Sequence, residues 1–287
     1  MIDYGSSPPI EAFNPPQKAH LENYRRIYAS SEKRAGRHEA KPGPEALAEW
    51  FAMYDRVGAE HIVIKARDLE TTFGLKIRNE DVAEFCRQHG PRVIGFAGVD
   101  PNKGMEAIRE LEFAVRELGL QGLNLQCFEH KLCINDPKMY PLYAKCIELD
   151  IPVNIHASIN FSSSTEMKYG HPIHLDEVMV HFPELRVVAS PPGFPWINEL
   201  IGVAWRHANV YIGIVAVRPK YLGVAHSGYE PLLQYGNTVL QDKMIFGSAY
   251  PMQPVEQAIA DIDALPLKDD VRRKWMGGNA ARLLGLD

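Results

Sequence analysis

Leu185-Arg186-Val187-Val188-Ala189-Ser190-Pro191-Pro192-Gly193-Phe194-Pro195-Trp196 is a short, nearly all-apolar run that stops at Ser-Pro-Pro-Gly, with a helix-like segment behind it. An apolar run of this length between turn residues fits a strand buried on both faces. Proline has no N–H to pair and a fixed φ, so the ladder must stop at Pro191. The strand therefore ends at a rigid elbow, and Pro195 is placed to open the next helix. That is the geometry of a βα unit. In a barrel of such units the elbows after the strands form the face that carries chemistry.

The same unit repeats outward in both directions. Strands are expected at Met1–Tyr4, His61–Lys65, Arg92–Val99, Gly122–Gln126, Pro152–His156, the opening run, Asn209–Ile214 and Lys243–Phe246. Helices are expected at Pro44–Arg56, Asn79–His89 (with Asn79 as its cap), Lys103–Leu118, Pro137–Leu149, His171–His181 and Pro195–His207, with more between Val255 and Leu284. Eight strands alternating with helices predict a parallel sheet, and over 287 residues they fit a single-domain (β/α)8 TIM barrel spanning 1–287. A doubly wound open sheet is the alternative, but no GxGxxG follows the first strand. Residues 10–44 read as a helical insertion after that strand. Its middle, Gln17–Glu32, has Leu21, Tyr24 and Tyr28 at helical spacing inside a basic stretch from Lys18 to Lys41. Such a segment suits a lid, an arm packing on a second subunit in a homodimer, or a solvated face.

Bulk composition bounds the function. Apolar residues make up 46% and charged residues 23%, as in ordinary soluble globular proteins. A net charge of −5 argues against general nucleic-acid binding. Cys86, Cys127, Cys133 and Cys146 have no CxxC spacing and read as free thiols of a reducing compartment. With no signal-peptide pattern and no membrane-length apolar run, the expected location is cytoplasmic, with no membrane partner.

Strand alternation says which residues share the mouth of the barrel. The second strand ends on Lys65, with Arg67 two residues on. Asn124 and Gln126 share one parity on the fourth strand, and Asn154, His156 and Ser158 on the fifth. The sixth ends at Pro191, and the eighth runs into Gly247-Ser248-Ala249-Tyr250-Pro251. His156 is the candidate acid–base group, since an unperturbed imidazole titrates near neutrality; a structural histidine bracing the mouth is the alternative. Lys65, Arg67, Asn124, Asn154 and Tyr250 are the candidate substrate-binding residues. Against them stand plain structural roles: a surface ion pair of Arg67 with Asp68 or Glu70, asparagines capping buried backbone, and Tyr250 as packing.

These residues carry a resemblance. Ile2-Asp3, Gly119 to Leu125, Ile151 to His156, His171-Pro172 to Phe182-Pro183, Gly193-Phe194-Pro195-Trp196, Phe246 to Pro251 and Gly278 to Leu284 resemble successive segments of the amidohydrolase-related family that includes the aminocarboxymuconate-semialdehyde decarboxylase type. The departures concern chemistry. The family's His-x-His on the first strand reads Gly5 and Ser7 here, the histidine of the sixth elbow reads Pro191, and the aspartate of the eighth strand reads Ala249. The resemblance leaves His156 alone of the usual ligands and acid–base groups, so the expectation is no metal and no cofactor. Asp3, His171 or His174 would have to build any relocated site. What it implies is an enzyme acting on a small anionic molecule, carboxylated or carbonyl-bearing and cyclic or aromatic, as a metal-independent decarboxylase or other C–C lyase, or as a hydrolase. Losing the aspartate hurts hydrolysis more, which favours the lyase. The alternative is a non-catalytic barrel kept as a small-molecule binder or assembly component, its mouth plugged by Tyr24, Tyr28 or the Pro8-Pro9 loop.

Overall fold

In the computed structural model, which describes residues 1–13, 19–24, 26–27 and 42–286, Val187–Ala189 is a strand hydrogen-bonded in parallel to a neighbour on each side, with all its side chains buried. In chain order the strands are β1 (Ile2–Ser6), β2 (His61–Lys65), β3 (Arg67–Leu69), β4 (Leu75–Ile77), β5 (Val93–Gly98), β6 (Leu123–Leu125), β7 (Val153–Ile155), β8 (Val187–Ala189), β9 (Val210–Ile214) and β10 (Met244–Phe246). Eight of them form one parallel sheet in the order β1-β2-β5-β6-β7-β8-β9-β10. Between β10 and β1 the ring closes through a Ser6–Tyr250 bridge, with Ala249 N donating to Gly5 O at 2.8 Å and Ser7 N donating to Tyr250 O at 2.9 Å. The fold is a (β/α)8 TIM barrel, as the alternation predicts.

Strand parity divides the core in two. Ile2, Tyr4, Val63, Ile94, Phe96, Val188 and Ile245 form a buried cluster inside the ring. The alternate residues, among them Ile62, Ile64, Leu123, Val153 and Val187, pack outward against the helices. Layers of side chains therefore fill the barrel, and only the strand ends are left for chemistry.

Several local expectations shift. β3 and β4 form an antiparallel hairpin just past β2, where no strands are expected. The helix after the opening elbow starts at Ile197 rather than Pro195. Asn79 lies within its helix, Asn79–His89, and does not cap it. Of the insertion, 3₁₀ turns at Glu11–Phe13 and Ala19–Leu21 and helical residues 22–24 and 26–27 are described, as is its end from residue 42. Tyr28 and most of the basic stretch from Lys18 to Lys41 lie outside the described residues. All four cysteines are free. Among the described residues no helix is long and apolar enough to cross a membrane.

Candidate active site

Lys65 closes β2 two residues after Val63, so its side chain turns inward above the filled core. Its Nζ donates to Asn154 Oδ1 at 3.2 Å. Asn154 sits opposite Asn124 in the β6–β7 register, and the two amides meet: Asn154 Nδ2 donates to Asn124 Oδ1 at 2.9 Å. Gln126 Nε2 donates to the same oxygen at 3.1 Å, and Asn124 Nδ2 donates to the carbonyl of Ala66 at 3.0 Å. Three expected binding residues thus form one hydrogen-bonded chain. Burial lowers the Lys65 pKa to about 7, with the Arg67 charge acting the same way and the Asp3 carboxylate opposing. The Tyr4 ring lies 4.5 Å from Nζ and favours the ammonium through its π face.

His156 follows β7 directly. Its backbone N–H donates to Leu125 O at 3.0 Å, and its ring packs 4.5 Å from that of Phe128. Burial pulls the imidazole down to about 4; Glu129 opposes this and Arg67 adds to it. Burial thus favours the neutral imidazole of His156 over the imidazolium. Its Nδ1 is buried and has no hydrogen-bond partner among the described residues.

Arg67, the other expected anion holder, is half-buried, and Nη1 lies 3.5 Å from Glu129 Oε2. Glu129 is fully buried, and its other oxygen is 3.2 Å from His20 Nε2 of the insertion. Burial pushes the Glu129 carboxyl up, but the Arg67 charge and the His20 contact outweigh it and hold the pKa below the usual range. His20 stacks on Phe73 at 3.8 Å, and Tyr24 packs against Phe128 and Phe161. The segment of the insertion that carries His20 and Tyr24 therefore lies over the mouth. The alternative pairing of Arg67 with Asp68 or Glu70 does not occur: both carboxylates are taken by Lys76 and Lys103.

Tyr250 is half-buried at the β1–β10 seam, where its backbone N–H donates to Ser248 Oγ at 3.0 Å. Asp3 faces away from the mouth. Its oxygens accept from Tyr54 Oη at 2.7 Å, Ser248 Oγ at 2.6 Å, Ser248 N at 2.8 Å and Gly5 N at 3.1 Å. His171 packs 4.4 Å from Trp196, and its Nδ1 accepts from Ile173 N at 3.2 Å. Asp3, His171 and His174 therefore build no relocated site, and no cluster of three or more His, Cys, Asp or Glu suited to a metal occurs among the described residues. A cleft of about 280 Å³ beside Asp150 and Arg186 lies at the opposite end of the barrel, away from the strand ends.

The Amidohydrolase family profile matches residues 19–286. The chain belongs to the amidohydrolase family. Gamma-resorcylate decarboxylase of Rhodococcus jostii is 24% identical over 254 residues, covering 73% of this chain and 75% of that one. The 2-amino-3-carboxymuconate-6-semialdehyde decarboxylase of Dictyostelium discoideum is 23% identical over 73% of this chain and 66% of its own. An uncharacterized TIM-barrel protein of Bordetella bronchiseptica superposes with a TM-score of 0.82 at 29% identity, covering 99% and 98% of the two chains. This amidohydrolase is an enzyme of the decarboxylase-like group, as its resemblance implies.

One expectation is overturned. A dihydroxybenzoic acid decarboxylase from Polaromonas, with a TM-score of 0.65 at 16% identity over 94% of each chain, has bound manganese and the inhibitor 2-nitroresorcinol. A cofactor-free mouth is therefore not a property of this fold family, and the expectation of none is corrected. Reading strand tips also missed two residues that meet Arg67 at the candidate site, Glu129 and, through it, His20; His130, beside Glu129, instead contacts the Asp68 carbonyl at 3.0 Å. Glu129 and His130 lie in a one-turn helix, Cys127–His130, directly after Gln126, and an acidic–histidine pair just past a barrel strand was the signal available. His20, far away in sequence, offered none.

Proposed function

We propose that this amidohydrolase is a carboxy-lyase releasing CO2 from a small cyclic or aromatic carboxylate. The carrying observation is the Lys65–Asn154–Asn124 chain: an inward cation whose one hydrogen bond among the described residues goes to a neutral amide. A shielded cation without a carboxylate partner is a seat for an anionic or electron-rich substrate group. The decarboxylases among its relatives support the same reaction class.

Within that reading, Arg67 takes the carboxylate at the rim, where a third of its side chain meets solvent. Lys65, Asn154 and Asn124 face the carbonyl or hydroxyl end, and Tyr250 borders the site at the seam. Loss of CO2 leaves a carbanion that must be protonated. His156 is the side chain assigned to deliver that proton.

The manganese of the Polaromonas enzyme makes a divalent metal the cofactor to weigh here. The described residues do not fit one. A transition-metal site needs at least three N, O or S donors, and among the described residues no group of three His, Cys, Asp or Glu side chains is placed to supply them. A Cβ added at Gly5, the position the resemblance gives to a ligand, would stand 3.5 Å from Lys65 Nζ, so a metal held there would face a lysine cation. No step is routed through a metal.

The test is CO2 release by the purified protein from a panel of hydroxybenzoates and cyclic oxo acids. Release from at least one acid is expected, with kcat about 100-fold lower in His156→Gln. Absence of CO2 from every acid would remove the carboxy-lyase reading. Undiminished turnover in His156→Gln would remove the proton delivery alone.

A further inference from the structure

Lys76 and Lys103, two other lysines near this end of the barrel, rest on the Asp68 carboxylate. Lys243 spreads its donors over the carbonyls of Ala204 and His207. Lys65 has neither arrangement. Among the described residues no carboxylate lies within ion-pair distance of it, because both oxygens of the nearby Asp3 are held by Tyr54, Ser248 and Gly5. Its Nζ sits between the Asn154 amide and the face of Tyr4, whose own hydroxyl is buried without a partner among the described residues. On a further side the chain carries glycine: a Cβ at Gly5 would lie 3.5 Å from Nζ and 3.2 Å from Val215 Cγ1. The Gly5 backbone thus packs close beside the nitrogen, and the Val215 methyl makes part of the wall apolar.

We propose that Lys65 is a covalent nucleophile whose Nζ condenses with the carbonyl carbon of an oxo-carboxylate substrate to form an imine beside Asn154 and Tyr4. A desolvated lysine without a counter-ion is the form in which an amine attacks carbonyls. The groups facing Nζ act in opposite senses: burial and Arg67 favour the free amine, while Asp3 and the Tyr4 ring favour the ammonium. The balance is a pKa of about 7.

The chemistry balances without oxidant or reductant. The Nζ lone pair adds to the carbonyl carbon, and the oxygen leaves as water after two proton transfers, giving a protonated imine. If the adjacent carbon, or its vinylogue, bears the carboxylate, the C–CO2 electron pair flows into the iminium and CO2 departs. The enamine left behind takes a proton at carbon, delivered by His156. Water then adds to the iminium, releasing the carbonyl product and free Lys65. This route rests on the carboxy-lyase reading for its CO2 step, but the imine itself does not.

The experiment is reductive trapping with meta-formylbenzoate and sodium cyanoborohydride on the whole protein, read by peptide mass spectrometry. One reduced adduct is expected on Lys65, formed on the order of tenfold or more faster at neutral pH than on exposed lysines. Its rate should be half-maximal near pH 7, where the amine is half deprotonated. Lys65→Met, checked for folding by circular dichroism, should show only the slow background. Label confined to surface lysines, or unchanged in Lys65→Met, would overturn the proposal. The CO2 assay separates the two readings. Release from an acid lacking a carbonyl with no adduct at Lys65 sinks the imine and leaves the carboxy-lyase. An adduct at Lys65 with no CO2 from any acid does the reverse.

Discussion

Shielding an ammonium beside a neutral amide favours loss of its proton, so at neutral pH Lys65 works against folding. Its folded pKa of about 7 lies below the ordinary lysine range. Between those values the unfolded chain binds more protons, so this residue's penalty is full below pH 7 and shrinks as pH rises. Lys65→Met removes the charge and keeps most of the stem. It should raise the melting temperature while abolishing activity, the usual opposition at a functional group. The stabilisation should be on the order of 1–3 kcal/mol near pH 6 and smaller near pH 9. Calorimetric scans at the two pH values check it, and equal differences at both would show that the lysine is comfortably solvated. At this scale the sequence was informative wherever side chains sit on strands. Lys65, Asn124 and Asn154 join because parity and register force them together. It was silent on the meeting of Glu129 with His20, which depends on how an insertion lies over the barrel.

Strands buried on both faces betray themselves as apolar runs, which is why the eight barrel strands are legible to within a few residues. β3 and β4 are not, because Arg67-Asp68-Leu69 and Leu75-Lys76-Ile77 carry charged residues and make no apolar run. Asn79 shows a local rule losing to a tertiary partner. An asparagine before Glu-Asp at the start of a helix reads as a cap. Here its amide clamps the end of β5 instead: Nδ2 donates to Gly98 O at 3.1 Å and to Glu110 Oε1 at 3.0 Å, and Oδ1 accepts from Gly98 N at 2.8 Å. At Gly98 a Cβ would fall 2.5 Å from the backbone of Ala66 and Arg67, so β5 and the chain after β2 touch there without side chains. The clamp thereby steadies the segment that carries Lys65 and Arg67. Asn79→Ala strands both Gly98 backbone groups and should lower unfolding free energy by about 2–3 kcal/mol. A urea midpoint within error of wild type would mean that the Gly98 groups find other partners.

Closure of the barrel was legible only as a count of eight. The bonds that close it join residues hundreds of positions apart: Asp3, in β1, ties the eighth βα elbow through Ser248. No local pattern announces such a pair. The whole molecule's response to acid follows from how its buried carboxylates are held. Burial raises the Asp3 pKa more than its hydrogen bonds lower it, so protonation of Asp3 favours the folded state. Asp68 goes the other way. Burial pushes it up, but hydrogen bonds from Lys103 at 2.7 Å and Lys76 at 2.8 Å outweigh that and hold its pKa below the usual value. Lys76 also reaches Glu110 at 2.9 Å, so the Asp68 hub joins the β3–β4 hairpin to the helix Met105–Arg116. A carboxyl depressed in the folded state binds its proton first in the unfolded chain. Its stabilisation is therefore complete above the ordinary aspartate range and lost as pH falls through the folded pKa. Asp68→Asn leaves two lysines without their shared charge and should cost about 3 kcal/mol at neutral pH. Because the wild type loses the same contribution in acid, the difference between the two proteins should narrow steadily from about pH 5 to about pH 2. Thermal melts of both proteins across that range decide it. A constant difference would place the acid sensitivity elsewhere, with Glu129 and its links to Arg67 and His20 as the next group to change.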